Sequence, residues 1–230
     1  MKITRLEINC RDVLEQQKFY KEILGLEVIK ATATYFELQI GYSVLVFQES
    51  DNFTPYHIAF HVPDKVEEIA VKWLEKRVSI LKFEDLEIVD FKGWDAKSIY
   101  FYDSDNNIME FISRRNFNGE TTEGFSEKSI LGISEIGLST DDIESKFQFL
   151  KENCELIIFD GSFDKFCAIG DDQGLLITIN SNLKSWFPTG DKAYNSSFNL
   201  NFIQNEKVYY IQYKENELRP LESSNKNKSA

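Results

Sequence analysis

The 230-residue chain reads as an α+β protein of tandem βαβββ modules that curve into a cup-shaped mixed β-sheet with flanking helices. Three observations predict this class. A strand–Asp–helix–strand order occurs three times. The strands after each helix alternate apolar and polar residues, as half-buried strands do. Short polar turns separate those strands.

The first copy is "ITRLEINCRDVLEQQKFYKEILGLEVI", the second "YHIAFHVPDKVEEIAVKWLEKRVSI" and the third "ISEIGLSTDDIESKFQFLKENCELII". Each opens on an alternating strand and reaches an Asp near the helix start: Asp12, Asp64, and Asp141 or Asp142. A carboxylate there accepts orphan amide protons and favourably meets the helix dipole. Further strands follow: "TYFELQI" and "YSVLVFQ"; then "LEIVDF", "KSIYFY" and "NIMEFIS"; then "FDKFCAIG" and "GLLITIN". The expected layout is two paired modules forming the main cup over 1–113, a polar linker over 114–129, and a third module with terminal strands over 130–214. The tail from 215 to 230 has little to bury and is expected to be disordered.

Composition narrows the function. A net charge of −12 opposes nucleic acid and anionic membranes, which both attract basic surfaces. The first residues lack the apolar stretch of a signal peptide, and no run approaches a membrane span. Cys10, Cys154 and Cys167 lack CxxC spacing, so neither a disulfide framework nor a zinc knot is expected, and a reducing, cytoplasmic setting fits. Phosphate-cradling Gly loops, HExxH and GxSxG are absent.

Alternation also assigns faces. Arg5, Glu7 and Asn9 share one face of the first strand, opposite Leu6, Ile8 and Cys10. His57, Ala59 and His61 share a face in the second copy; Glu135, Gly137 and Ser139 do so in the third. The apolar faces should take the helices, leaving Cys10 a buried, inert thiol. The polar faces should line a concavity or meet solvent.

"DVLEQQKFYKEILGLEVI" and "DSDNNIMEFIS" resemble the first-module helix and the closing hairpin of the vicinal oxygen chelate superfamily, which includes glyoxalase I, extradiol ring-cleaving dioxygenases and bleomycin-resistance proteins. The resemblance implies a cup around a divalent metal, with ligands on the first and last strands of each module. Its spacing falls on Arg5, His57 and Glu135 for first strands, and on Val46, Glu110 and Thr178 for last strands. The first cup would thus offer His57 and Glu110 as ligands, with Arg5 and Val46 where two more would stand. Arginine is a poor ligand and valine has no donor atom.

The two histidines of "YHIAFHV" stand roughly 13 Å apart on a strand rising about 3.3 Å per residue, too far to chelate one ion. His57 is therefore the candidate ligand and His61 a residue of the cup wall. Glu37 is the candidate third ligand, followed by Glu7. Glu110 is also the candidate proton carrier. Arg5, Glu7, His61, Trp94 and Tyr100 are candidate substrate contacts, although Arg5 could equally pair with Glu7, Glu37 or Glu110. The third module reads as scaffold or interface.

Two functions remain open from these residues. One is a metalloenzyme using Fe, Mn, Ni, Zn or Mg on a small molecule with vicinal oxygens. The other is a metal-free small-molecule-binding protein similar to bleomycin-resistance proteins. Besides these two, a degenerate scaffold could self-associate through its open sheets, so a homodimer is a candidate protein partnership.

Overall fold

A computed structural model describes residues 1–117 and 124–221. The first module is β1 (Lys2–Cys10), α1 (Val13–Lys18) extended by a π-helical turn over Phe19–Ile23, β2 (Glu27–Ala31), β3 (Tyr35–Ile40) and β4 (Ser43–Glu49). The second is β5 (His57–Val62), α2 (Glu67–Leu74), β6 (Ile80–Leu81), β7 (Val89–Phe91), β8 (Ala96–Tyr102) and β9 (Ile108–Arg114). The third is β10 (Gly132–Thr140), α3 (Ile143–Cys154), β11 (Ile158–Gly161), β12 (Phe166–Asp171) and β13 (Gly174–Asn180). A helix-less meander of β14 (Phe198–Gln204), β15 (Lys207–Lys214) and β16 (Glu217–Pro220) closes the described chain.

Local chemistry sets the element ends. Asp12 caps α1 by accepting from the Leu14 and Glu15 amides, and Asp142 caps α3 by accepting from Ser145. Asp64 does not cap α2, which begins three residues later at Glu67 with Val66 at the N-cap and no side-chain cap bond. Asn106 takes the left-handed turn position before β9 at φ 62°, a conformation Asn tolerates better than most residues. Buried Asp103 accepts from the Asn107 amide at 2.9 Å, from Asn107 Nδ2 at 2.7 Å and from the Tyr20 hydroxyl at 2.9 Å. It thereby ties the second module's hairpin to the first module's helix.

The modules pair differently from the expected order. The strands form a seven-stranded sheet, β16-β15-β14-β1-β4-β3-β2, and a nine-stranded sheet, β11-β12-β13-β10-β5-β9-β8-β6 with β7 on β8. The first module therefore joins the terminal meander through antiparallel β1 and β14, and the second joins the third through antiparallel β5 and β10. Residues 1–113 do not make a cup of their own. The short connection after β4 delivers β5 to the other sheet, and the longer stretch after β9 returns the chain to pair along β5. Arg114, expected to open the linker, instead ends β9 and is buried. Residues 118–123 of that linker lie outside the described residues. In the tail, Glu217–Pro220 pairs with β15 rather than being disordered, and 222–230 lie outside the described residues.

The helix-facing sides of both sheets share one continuous core. Leu6, Phe36 and Phe47 come from the first sheet; Ile58, Phe111 and Ile136 come from the second; Tyr20, Leu74 and Leu150 come from the helical segments. Gly41 lies at the join, where an added Cβ would fall 2.0 Å from the Leu131 carbonyl oxygen. The opposite face of each sheet is a concavity. No helix among the described residues is long and apolar enough to cross a membrane. All three cysteines are free and buried.

Candidate metal centre

The β5–β10 junction builds the centre. Ala59 on β5 stands beside Glu110 on the parallel strand β9 and beside Glu135 on the antiparallel strand β10. The small residue between them leaves room for both carboxylates. His57, two residues earlier on β5, shares their face. Its Nε2 lies 3.3 Å from Glu110 Oε2 and 3.9 Å from Glu135 Oε2. One donor atom from each of the three residues lies within 4.8 Å of the others, and all three side chains are buried.

One imidazole and two carboxylates suit a divalent ion of intermediate hardness, such as Mn, Fe, Ni or Zn. Three protein donors leave coordination positions for substrate or water, as catalytic centres require. The donor set therefore fits the metal that the superfamily resemblance implies. The fourth position that the superfamily resemblance implies falls on Ile177, which pairs with Gly137 as Glu110 pairs with Ala59. It has no donor atom. Thr178, expected there from spacing, is one residue out of phase and is not on the cavity wall.

Burial would lower the pKa of His57, but hydrogen bonds and charge from Glu110 and Glu135 outweigh it and hold the imidazole at about 9. Burial would raise the pKa of Glu135, but the His57 hydrogen bond and the Arg114 charge keep it below its ordinary value. Arg114 forms a short ion pair with Glu135 Oε1. Tyr100 lies opposite Glu110 in the β8–β9 ladder, and burial followed by the two carboxylate charges lifts its pKa well above normal. Its phenol keeps its proton at neutral pH.

A cavity of about 280 Å³ opens beside the trio. Its lining includes Phe91, Trp94, Tyr100, Phe166, Trp186 and Phe187, with Lys184 and Asp160 as charged members beyond the trio. The β13–β14 connection supplies Lys184, Trp186 and Phe187. Trp186 stacks on His57 at 5.3 Å between ring centroids and 28° between planes. Gly137 makes this possible, since an added Cβ there would stand 2.6 Å from Trp186 Cη2. Trp94 donates its indole N–H to Asp160 Oδ2 at 2.6 Å.

The structure divides the residues singled out from sequence. His57, Glu110, Trp94 and Tyr100 meet at this cavity. Arg5, Glu7 and Glu37 lie in the concavity of the other sheet, a basin of about 760 Å³. There Arg5 Nε donates to Glu7 at 2.7 Å, and its Nη1 and Nη2 each donate to Glu37 at 3.2 Å. Glu37 is thus occupied on a different sheet and is not the third donor beside His57. The second carboxylate beside His57 is Glu135, from the module expected to be scaffold or interface. His61 is buried outside the lining of this cavity, stacked on Phe117 at 3.9 Å with Nε2 3.1 Å from the Gln173 carbonyl oxygen. Desolvation holds its pKa at about 4. Trp186 and Arg114 escaped sequence reading. The signal for Arg114 was its place on the alternating face of Glu110 and Ile112.

No protein-family profile matches the chain. It is 29% identical over 116 residues to the metallothiol transferase FosB of Staphylococcus haemolyticus, covering 47% of this chain and 80% of that relative. The FosB of Staphylococcus epidermidis matches with the same identity and coverage. Among solved structures, a candidate dioxygenase of Bacillus subtilis superposes with a TM-score of 0.58 at 16% identity. That superposition covers 78% of this chain and 63% of the other, so the chain spans less than two thirds of that structure. A point mutant of glyoxalase I from Zea mays gives a TM-score of 0.50 at 15% identity, covering 77% of this chain and 66% of the other. These structures share the fold.

Proposed function

We propose, from the premise that the chain belongs to the vicinal oxygen chelate superfamily, that it is a metal-dependent enzyme whose divalent ion is held by His57, Glu110 and Glu135. The observation carrying this reading is the convergence of three buried donors within 4.8 Å at the wall of a cavity. A divalent ion there would supply a Lewis acid for two adjacent oxygens of a small substrate.

The chain's own residues define what enters. The ring-lined walls favour an apolar or planar body and exclude water from the reacting oxygens. Lys184 lies on the wall, its Nζ 4.4 Å from the Phe166 ring centroid, and can meet an anionic substituent. Tyr100 keeps its proton and can donate it as a hydrogen bond to a developing oxyanion. Glu110 would accept a substrate proton. The β13–β14 connection covers the centre through Trp186.

A second reading, metal-free sequestration of a ring-bearing small molecule, is favoured by one observation. His57 pairs with Glu110 and Arg114 pairs with Glu135, so the buried charges have partners of opposite sign within the chain. Element-resolved metal analysis of protein purified without chelators separates the two. About one divalent ion per chain, lost in His57→Ala, supports the enzyme. Tight binding of an aromatic ligand by protein without metal supports sequestration and contradicts the enzyme.

A further inference from the structure

Arg114 is among the largest fully buried side chains, at 1% exposure. It lies on the same face of β9 as Glu110 and Ile112. Its Nη2 donates to Glu135 Oε1. Its Nε and Nη1 are buried and have no hydrogen-bond partner among the described residues. The guanidinium carbon lies 5.4 Å from the Trp94 ring centroid and 5.9 Å from that of Phe159. A buried cation with one carboxylate partner and two unsatisfied nitrogens carries a desolvation cost that an apolar side chain would avoid. Fold stability alone therefore does not account for it.

We propose that Arg114 is a positioning residue of the metal centre: it engages Oε1 of Glu135 so that Oε2 is the oxygen presented beside His57. This inference rests on the metal reading above. The geometry matches the role, because the two oxygens of Glu135 already have different partners. Oε1 meets Arg114, and Oε2 faces His57 Nε2 at 3.9 Å. A carboxylate without that anchor could rotate, or offer both oxygens to one ion. Trp94, held by its bond to Asp160, backs the guanidinium and limits its movement. Outer-shell partners of metal ligands act in this way.

The sign of the effect separates position from charge. A guanidinium near a cation disfavours it electrostatically, so a role through charge alone predicts tighter metal binding when Arg114 is removed. Positioning predicts weaker binding. The test is Co(II) titration of the full chain, following visible absorption, with near-UV circular dichroism as the folding control. R114M should bind Co(II) about tenfold more weakly than wild type, with a fainter visible band as a second Glu135 oxygen joins the ion. R114K keeps a cation with different reach and should fall between the two in affinity. Wild-type affinity or tighter binding in R114M, with an unchanged band, overturns the proposal and leaves the metal reading intact. If R114M does not fold, wild-type affinity and band shape in R114K overturn it equally. Failure of wild-type protein to take up Co(II) removes the metal reading itself.

Discussion

The two concavities of this molecule stand on the same strand framework but carry opposite chemistry. In the nine-stranded sheet, β5, β9 and β10 present His57, Glu110 and Glu135. In the seven-stranded sheet, the corresponding positions on β1, β4 and β14 are Arg5, Val46 and Asn199. A fixed guanidinium stands where one imidazole ligand stands, and a hydrocarbon replaces one carboxylate. The surroundings differ too. All of β5 and β10 is buried on both faces, whereas the concave residues of β1 are half-buried. The covered cup has the β13–β14 connection over it, with Trp186 against His57. The other basin is broad, and its lining is mainly charged and amide-bearing side chains. Similar strand pairings thus gather a histidine and two carboxylates only where the third module supplies Glu135, and there the β13–β14 connection lies over them.

The largest effect should come from emptying one cup and leaving the other. Glu110→Ala should weaken divalent-metal binding by more than about 100-fold, beyond the roughly 10–100-fold typical of outer-shell changes. Arg5→Ala should leave metal affinity unchanged, as isothermal titration of both variants would show. Equal losses would break the distinction between the cups. A smaller effect is expected from Gly137→Ala. The added methyl collides with Trp186 and approaches His57 Cβ at 3.2 Å. Overpacking of this kind costs about 1–3 kcal/mol, which thermal or denaturant unfolding would read, and the displaced indole should also weaken metal binding.

The last effect is one of pH and sharpens the contrast within β5 itself. His61, held at about 4 by burial against an ordinary value of 6.5, stays neutral in the folded chain. The unfolded chain takes up that proton first. Stability attributable to His61 is therefore complete above pH 6.5 and declines as pH falls toward 4. His61→Phe should remove that component of acid sensitivity in unfolding curves measured across this range. His57 should titrate in the opposite direction in metal-free protein, near 9, and imidazole NMR resonances would resolve the two.

Local pattern carried most of the modules and half of the centre. Alternation placed His57, Ala59 and His61 on one face, Asp12 and one of Asp141 and Asp142 were legible as caps while Asp64 was not one, and the superfamily resemblance of "DSDNNIMEFIS" located the Asn106 turn and Glu110. Which modules pair was not legible, because strand alternation within a module is the same whichever neighbour β5 meets. That gap had one direct consequence. Glu135 stood at a ligand position by spacing, yet without the β5–β10 pairing it had no histidine nearby, and Glu37 was expected in its place. Thr178 was misplaced for a local reason: counting from Gly174 missed the phase of β13, which turns Ile177 inward. Trp186 reaches His57 only through a long connection with no periodic signal.

The central claim is that the second and third modules together supply the metal donors. It is tested most directly by measuring metal stoichiometry in Glu135→Gln beside Glu37→Gln, both purified without chelators. The account predicts about one divalent ion per chain in wild type and in Glu37→Gln, and a loss in Glu135→Gln. Retention in Glu135→Gln with loss in Glu37→Gln, or no metal in wild type, would contradict it.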